Sequence, residues 1–154
     1  MNDSEKDIAF MREALCEAER AEALGEVPIG AVIVVGGEVV ARGHNLKETS
    51  KDPTSHAEVV AIREAALKKD AWRIEDSTLY VTLEPCLMCI GAMVQARIGR
   101  LVFGPMDPKA GAVGSLYDIS KDDRLNHRIE VTSGLLADEG SQILKVFFSK
   151  LREG

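Results

Sequence analysis

Ile8, Met11, Leu15 and Ala18 fall on one face of a helix predicted from about Ser4 to Leu24, with Ser4–Asp7 resembling a cap and Gly25 a stop. The pattern then changes period. Ile29-Gly-Ala-Val-Ile-Val-Val35 and Glu38–His44 are strand-like runs around Gly36-Gly37, a pair that favours a two-residue turn, and they predict an antiparallel hairpin. Helix formers fill Ser55–Lys69 after Asp52-Pro53-Thr54, and Asp76 and Ser77 introduce a strand over Thr78–Leu83. Pro85 is expected to open a helix running to about Arg97; its fixed φ suits a first helical position, and its missing N–H would have had no intrahelical partner. Arg100–Phe103 and Arg128–Thr132 read as short strands and Asp138–Leu151 as a closing helix.

A hairpin followed by strand, helix, strand, helix, strand predicts a five-stranded mixed sheet, antiparallel at the start and parallel later, in a three-layer α/β/α domain. The stretch Pro105–His127 is too long for a plain connection and is expected to form a small helical insert or the wall of a site. Phe147 and Phe148 share a helical stripe with Leu144 and Leu151, for which core packing is favoured over base stacking.

At 154 residues the chain suits one domain spanning residues 1–154, and 45% apolar with 29% charged residues excludes disordered and collagen-like classes. No apolar run approaches the roughly 18 residues that span a bilayer. Asp3, Glu5 and Asp7 depart from the basic-then-apolar profile of a signal peptide, so a cytoplasmic protein with no membrane partner is expected. The net charge of −6 argues against a polyanionic partner, but eight acids and three bases lie in residues 1–26. The remainder carries 17 acids and 16 bases, leaving room for basic patches around Arg97, Arg100 and Lys109, and around Lys145, Lys150 and Arg152. As plain sequence features, these are solvated helix and loop charges.

Three cysteines are an odd number for a disulfide framework and favour thiolate chemistry. Cys16 reads as a core residue of the first helix. Cys86 and Cys89 open another helix, where free N–H groups and the positive end of the dipole favour thiolates, and His56-Ala57-Glu58 opens a third. Soft thiolates with an imidazole select zinc. With three protein ligands, His56, Cys86 and Cys89, a tetrahedral Zn2+ keeps a fourth position for water, whose pKa falls there to about 7. Glu58 suits a proton carrier better than a ligand, because two residues along a helix diverge except at its tip. Two other readings use some of the same residues. A thioredoxin-like CxxC redox site leaves His56-Ala57-Glu58 idle, and a closed structural zinc site lacks a fourth ligand at suitable spacing among Cys16, His44 and His127.

His56-Ala57-Glu58 followed by Pro85-Cys86-Leu87-Met88-Cys89 resembles the H-x-E…P-C-x-x-C signature of the zinc-dependent nucleobase deaminases. Further stretches narrow the resemblance to the bacterial tRNA-specific adenosine deaminases, the TadA family. These are Glu26-Val-Pro-Ile-Gly-Ala31, Asp52–Glu58, Thr78–Cys86, Phe103-Gly104, Asp107, Lys109, Gly111-Ala112 and Gly114-Ser115, with Asn126-His127-Arg128 and Phe147-Phe148 extending it along nearly the whole chain. Pro105 and Met106 depart from the family pattern, and the chain stops soon after Arg152, short of a basic tail; both features bear on RNA anchoring.

The resemblance implies a cytidine-deaminase-like fold and one Zn2+ per chain, held by His56, Cys86 and Cys89. It also implies Glu58 as the catalytic proton carrier, and deamination of adenosine to inosine at the wobble position of a tRNA anticodon stem-loop. On the same basis Asn45 would hydrogen-bond the base, the Ala57 backbone N–H would position it, and Asp107 would lie near the flipped nucleotide. As plain sequence features, Asn45 is a turn residue and Asp107 a loop acid. A homodimer with each site near the subunit boundary is implied too. A deaminase of free guanine or dCMP would share the zinc residues, and a noncatalytic zinc module is the reading without a reaction.

Overall fold

In a computed structural model describing residues 2–153, four helices and five strands follow the predicted order. They are α1 (Asp3–Ala23), β1 (Gly30–Val35), β2 (Glu38–His44), α2 (Ala57–Lys69), β3 (Ser77–Val81), α3 (Leu87–Ala96), β4 (Arg100–Phe103), β5 (Glu130–Thr132) and α4 (Ala137–Glu153). The sheet runs β2-β1-β3-β4-β5, with β1 antiparallel to both β2 and β3, and β3, β4 and β5 mutually parallel. Gly36 and Gly37 both take positive φ, which closes the hairpin in the way that a two-residue turn between twisted strands requires.

Alternation along β1 sorts its side chains between two cores. Ala31 and Ile33 join Leu79, Val81, Leu101 and Phe103 under α2 and α3, whereas Val32 and Val34 join Met11, Ala14, Tyr80 and Val102 under α1. Helices on both faces give the expected three layers. A Cβ on Gly30 would lie 2.1 Å from the Ala14 carbonyl oxygen, and one on Gly43 would lie 2.3 Å from that of Ala57. Both strands therefore need glycine where a helix backbone presses on them.

That close approach also corrects the expected face of α1. Its buried side is Met11, Ala14, Glu17, Ala18 and Ala21, while Leu15 is half-buried, Ile8 reaches solvent and Cys16 is exposed rather than in the core. Small side chains allow the short helix-to-sheet distance, so alanines occupy the contact. The cap is Asn2, whose side chain accepts from the Glu5 N–H at 2.8 Å, not Ser4. The α4 stripe is corrected as well. Only Gly140 is buried in this helix; Phe147 is half-buried, Phe148 and Leu151 are exposed, and grooves shared with α1 are lined by Leu15, Ile143, Phe147 and Leu151. Phe147 and Leu151 of the stripe face α1 across a groove, whereas Leu144 and Phe148 line a second groove beside Lys109, and none enters the sheet core.

Asp7 ties α1 to the sheet. Its carboxylate accepts from the Tyr80 hydroxyl at 2.6 Å and from two Arg100 nitrogens at 2.9 and 2.8 Å, and Arg100 also reaches Thr132. Arg100 is thus committed to structure and does not form part of an open basic patch. The guanidinium hydrogen bond holds the Asp7 carboxyl below its ordinary value of 3.8. Asp7→Asn should cost about 2–3 kcal/mol at pH 7 in urea denaturation, since hydrogen bonds to charged groups are among the stronger ones. Because the folded carboxyl titrates below the unfolded one, this stabilisation is complete above the unfolded pKa and disappears as pH falls through the lower folded value. The gap between wild type and variant should therefore narrow below about pH 4. A gap constant down to pH 2.5 would contradict that linkage.

Among the described residues no helix is long and apolar enough to cross a membrane.

Candidate metal and catalytic site

The site forms where two loops turn into helices at one end of the sheet. His56 and Cys86 are the N-cap residues of α2 and α3, both in extended conformation, and neither side chain makes a capping hydrogen bond. Serine, threonine, aspartate or asparagine is usual there. These side chains instead turn towards each other: His56 Nδ1 lies 3.6 Å from Cys86 Sγ and 3.5 Å from Cys89 Sγ. Both helices start two residues later than expected, which places Pro85 just outside α3 and makes Leu87 its first residue. Pro85 sets the entry of the chain while Cys86 stays free of the helix and can aim sideways.

The ligand atoms of His56, Cys86 and Cys89 lie within 4.8 Å of one another. Tetrahedral bonds of about 2.3 Å to sulfur and 2.0 Å to nitrogen require N···S separations near 3.5 Å, so the three donors fit one metal ion with little movement. Cys86 is pulled down to about 4, mainly by a hydrogen bond from the Cys89 thiol, while that same bond and burial push Cys89 up. The thiolate is therefore the favoured form of Cys86. His56 is shifted upwards by its hydrogen bond to Cys86.

Glu58 is 4% exposed, and burial raises its carboxyl to about 7. It is the second residue of α2, and at this helix tip both it and His56 line one cavity, as the spacing argument required. That cavity measures about 160 Å³ and is also lined by Val27, Ile29, Asn45, Ala57 and Asp107. Pockets for drug-sized ligands run to roughly 300–1,000 Å³, so this one suits a single flat ring with the rest of the ligand outside. Every sequence-predicted site residue is at or beside it. Asn45 is buried; it donates to the Val27 carbonyl at 3.3 Å and accepts from the Lys47 N–H at 3.1 Å, so it shapes a turn and lines the cavity together. Ala57 is fully buried as the first helical residue, where backbone N–H groups have no intrahelical acceptor. Asp107 is half-buried and accepts from the Lys109 N–H.

Residues 5–152 match the MafB19-like deaminase family. The tRNA-specific adenosine deaminase of Bacillus subtilis is 49% identical over 148 residues, covering 96% of this chain and 92% of the relative. That of Haemophilus influenzae is 52% identical over 151 residues, covering 97% and 87%. The chain belongs to the tRNA-specific adenosine deaminase family. Its fold agrees with this: a solved structure from work on A-to-I editing by tRNA:A34 deaminases superposes with a TM-score of 0.86 at 45% identity, covering 88% of this chain and 99% of the other. A guanine deaminase from Nitrosomonas europaea, at 24% identity and a TM-score of 0.78 over 92% and 84%, shares the fold.

Two buried carboxylates, Glu26 and Glu84, stand beside the predicted residues without having been singled out by spacing. Glu26 accepts from the N–H groups of Glu48 and Thr49 at 3.1 and 2.6 Å, bracing the loop that follows Asn45. Both lie in the stretches that resemble the family, Glu26-Val-Pro and Leu83-Glu84-Pro85. An acid directly beside apolar and proline residues at the edge of a strand was the available signal.

Proposed function

We propose that this protein hydrolytically deaminates adenosine to inosine at the wobble position of a tRNA anticodon. What carries the reading is the meeting of His56, Cys86 and Cys89 with buried Glu58 at one small cavity, in a chain about half identical to tRNA-specific adenosine deaminases. Residues 1–154 act as a single deaminase domain. His56 through Nδ1, with the Cys86 and Cys89 sulfurs, would hold one Zn2+ per chain. Bound there, zinc supplies the Lewis acidity that activates water near neutral pH.

Glu58 takes one proton from the attacking water and delivers it to N1 of adenine as the C6–O bond forms, then takes the remaining hydroxyl proton and delivers it to the amine as the C6–N bond breaks; adenosine and water become inosine and ammonia. Its burial supports this role, because a carboxyl raised towards neutrality both accepts and returns a proton. Asn45, which donates from Nδ2 and accepts at Oδ1, orients the base edge. The Ala57 N–H, free of an intrahelical acceptor at the start of α2, serves as a donor to the base, and Asp107 holds the nucleotide at the rim.

A cavity that admits a base but not a nucleotide suits an unstacked loop base, whose ribose and phosphates stay outside and supply binding energy remote from the reaction. The assembly is a cytoplasmic homodimer. Exposed Leu87, Met106, Leu116 and Tyr117 are close in sequence to pocket residues and offer apolar surface for it.

The test compares inosine formation in a wobble-adenosine stem-loop, a scrambled loop, free adenosine, guanine and dCMP. Efficient turnover is expected for the first alone, falling as salt rises because phosphate contacts are lost. Fast turnover of guanine or dCMP with an untouched stem-loop would overturn the substrate assignment and leave the metal residues in place.

A further inference from the structure

Glu84 is 2% exposed, and among the described residues no salt bridge reaches it. Its carboxylate instead collects donors from one loop. Oε1 accepts from the Asp107 N–H at 2.7 Å and from the Ser115 hydroxyl; Oε2 accepts from the N–H groups of Val113 and Ser115 at 2.9 and 3.1 Å. A carboxylate has about four acceptor sites, so these bonds occupy it fully and leave none for a substrate or a proton relay. Gly111 completes the fit. A Cβ there would lie 2.2 Å from Oε1, and the same residue pairs across the chain with Cys86, next to the bond from the Ala112 N–H to the Pro85 carbonyl.

We propose that Glu84 is a positioning residue that locks the 105–115 loop, and with it the Asp107 side of the cavity, onto the segment carrying Cys86. Glu58 and Glu84 are both buried carboxylates lining one cavity, with opposite tasks. Every acceptor position of Glu84 is taken by a donor from the loop, which fits it for holding that loop and not for carrying protons. The consequence is that substrate grip depends on Glu84 while proton transfer does not. This deepens the proposed function and rests on it for the substrate.

Two variants test it by different routes. Glu84→Gln places an amide NH2 where N–H donors converge, and Gly111→Ala leaves the carboxylate in the chain but denies it its seat. Both should keep one zinc per chain. Both should speed amide exchange in residues 105–116 by about tenfold or more, while exchange in α1 stays unchanged. On the wobble-adenosine stem-loop, KM should rise about tenfold with kcat within about threefold of wild type, since misplacing a binding group mainly costs positioning. Ser115→Ala, which removes one bond of the set, should give a smaller change in the same direction.

Unchanged exchange in both main variants, or a fall in kcat with KM untouched, would overturn the assignment. Amide exchange needs no substrate. If wild-type protein failed to deaminate the stem-loop, the substrate reading would fall, while exchange would still decide the role of Glu84.

Discussion

Glu58→Gln is expected to keep its metal and lose turnover by at least about 10²–10⁴-fold, the usual contribution of general acid–base catalysis. The loss could be larger, because one carboxyl serves successive transfers to the ring nitrogen and to the amine. Glutamine preserves size and hydrogen bonding at a position that is 4% exposed, so packing around the start of α2 is retained. It offers no titratable proton. Binding of the stem-loop should change little, placing the defect in kcat rather than KM. Metal analysis, affinity measurement and single-turnover inosine formation on the same preparation check all three statements. Near wild-type turnover would make Glu58 structural and send the search for the proton carrier elsewhere.

Cys86→Ser is expected to lose metal and activity together. A serine hydroxyl stays protonated near neutral pH and is a hard donor, so it replaces neither the charge nor the softness of a thiolate already drawn down to about 4. Zinc content should fall from one per chain to a small fraction, and deamination should become undetectable. The variant is also a fair test of function. Cys86 is only partly buried and makes no capping bond, so α3 should form without it; circular dichroism should match wild type. Cys89→Ser should lose the metal too, with some added instability because that sulfur sits in the core beneath α3. Full activity in zinc-free protein would refute the metal assignment altogether.

The sheet was legible because its signals are local. Gly36-Gly37 marks a turn that only positive φ satisfies, and the alternation along Ile29–Val35 serves two cores at once. Helix starts were legible to within two residues; the discrepancy arose because His56 and Cys86 resemble ordinary first-turn residues until their side chains are seen to leave the helix. Hydrophobic periodicity identified α1 and α4 but misjudged what they bury. In α1, close packing on Gly30 selects alanines and leaves Cys16 outside; in α4, the apolar stripe lines open grooves, one of them shared with α1. Periodicity reports that a face is apolar, not how near its neighbour comes.

The order of elements and a set of residues able to hold a metal ion were thus contained in the sequence itself. Side-chain donors, spacing of three along a helix, and turn residues are properties of a few adjacent positions. Only the tertiary structure brought His56 within 3.6 Å of a cysteine 30 residues away, and only there did Glu84 meet Asp107, Val113 and Ser115. Those pairings depend on which loops the parallel strands bring to the same end of the sheet. A carboxylate's chemistry is then decided by its surroundings: burial raises the Glu58 carboxyl, and converging donors saturate that of Glu84.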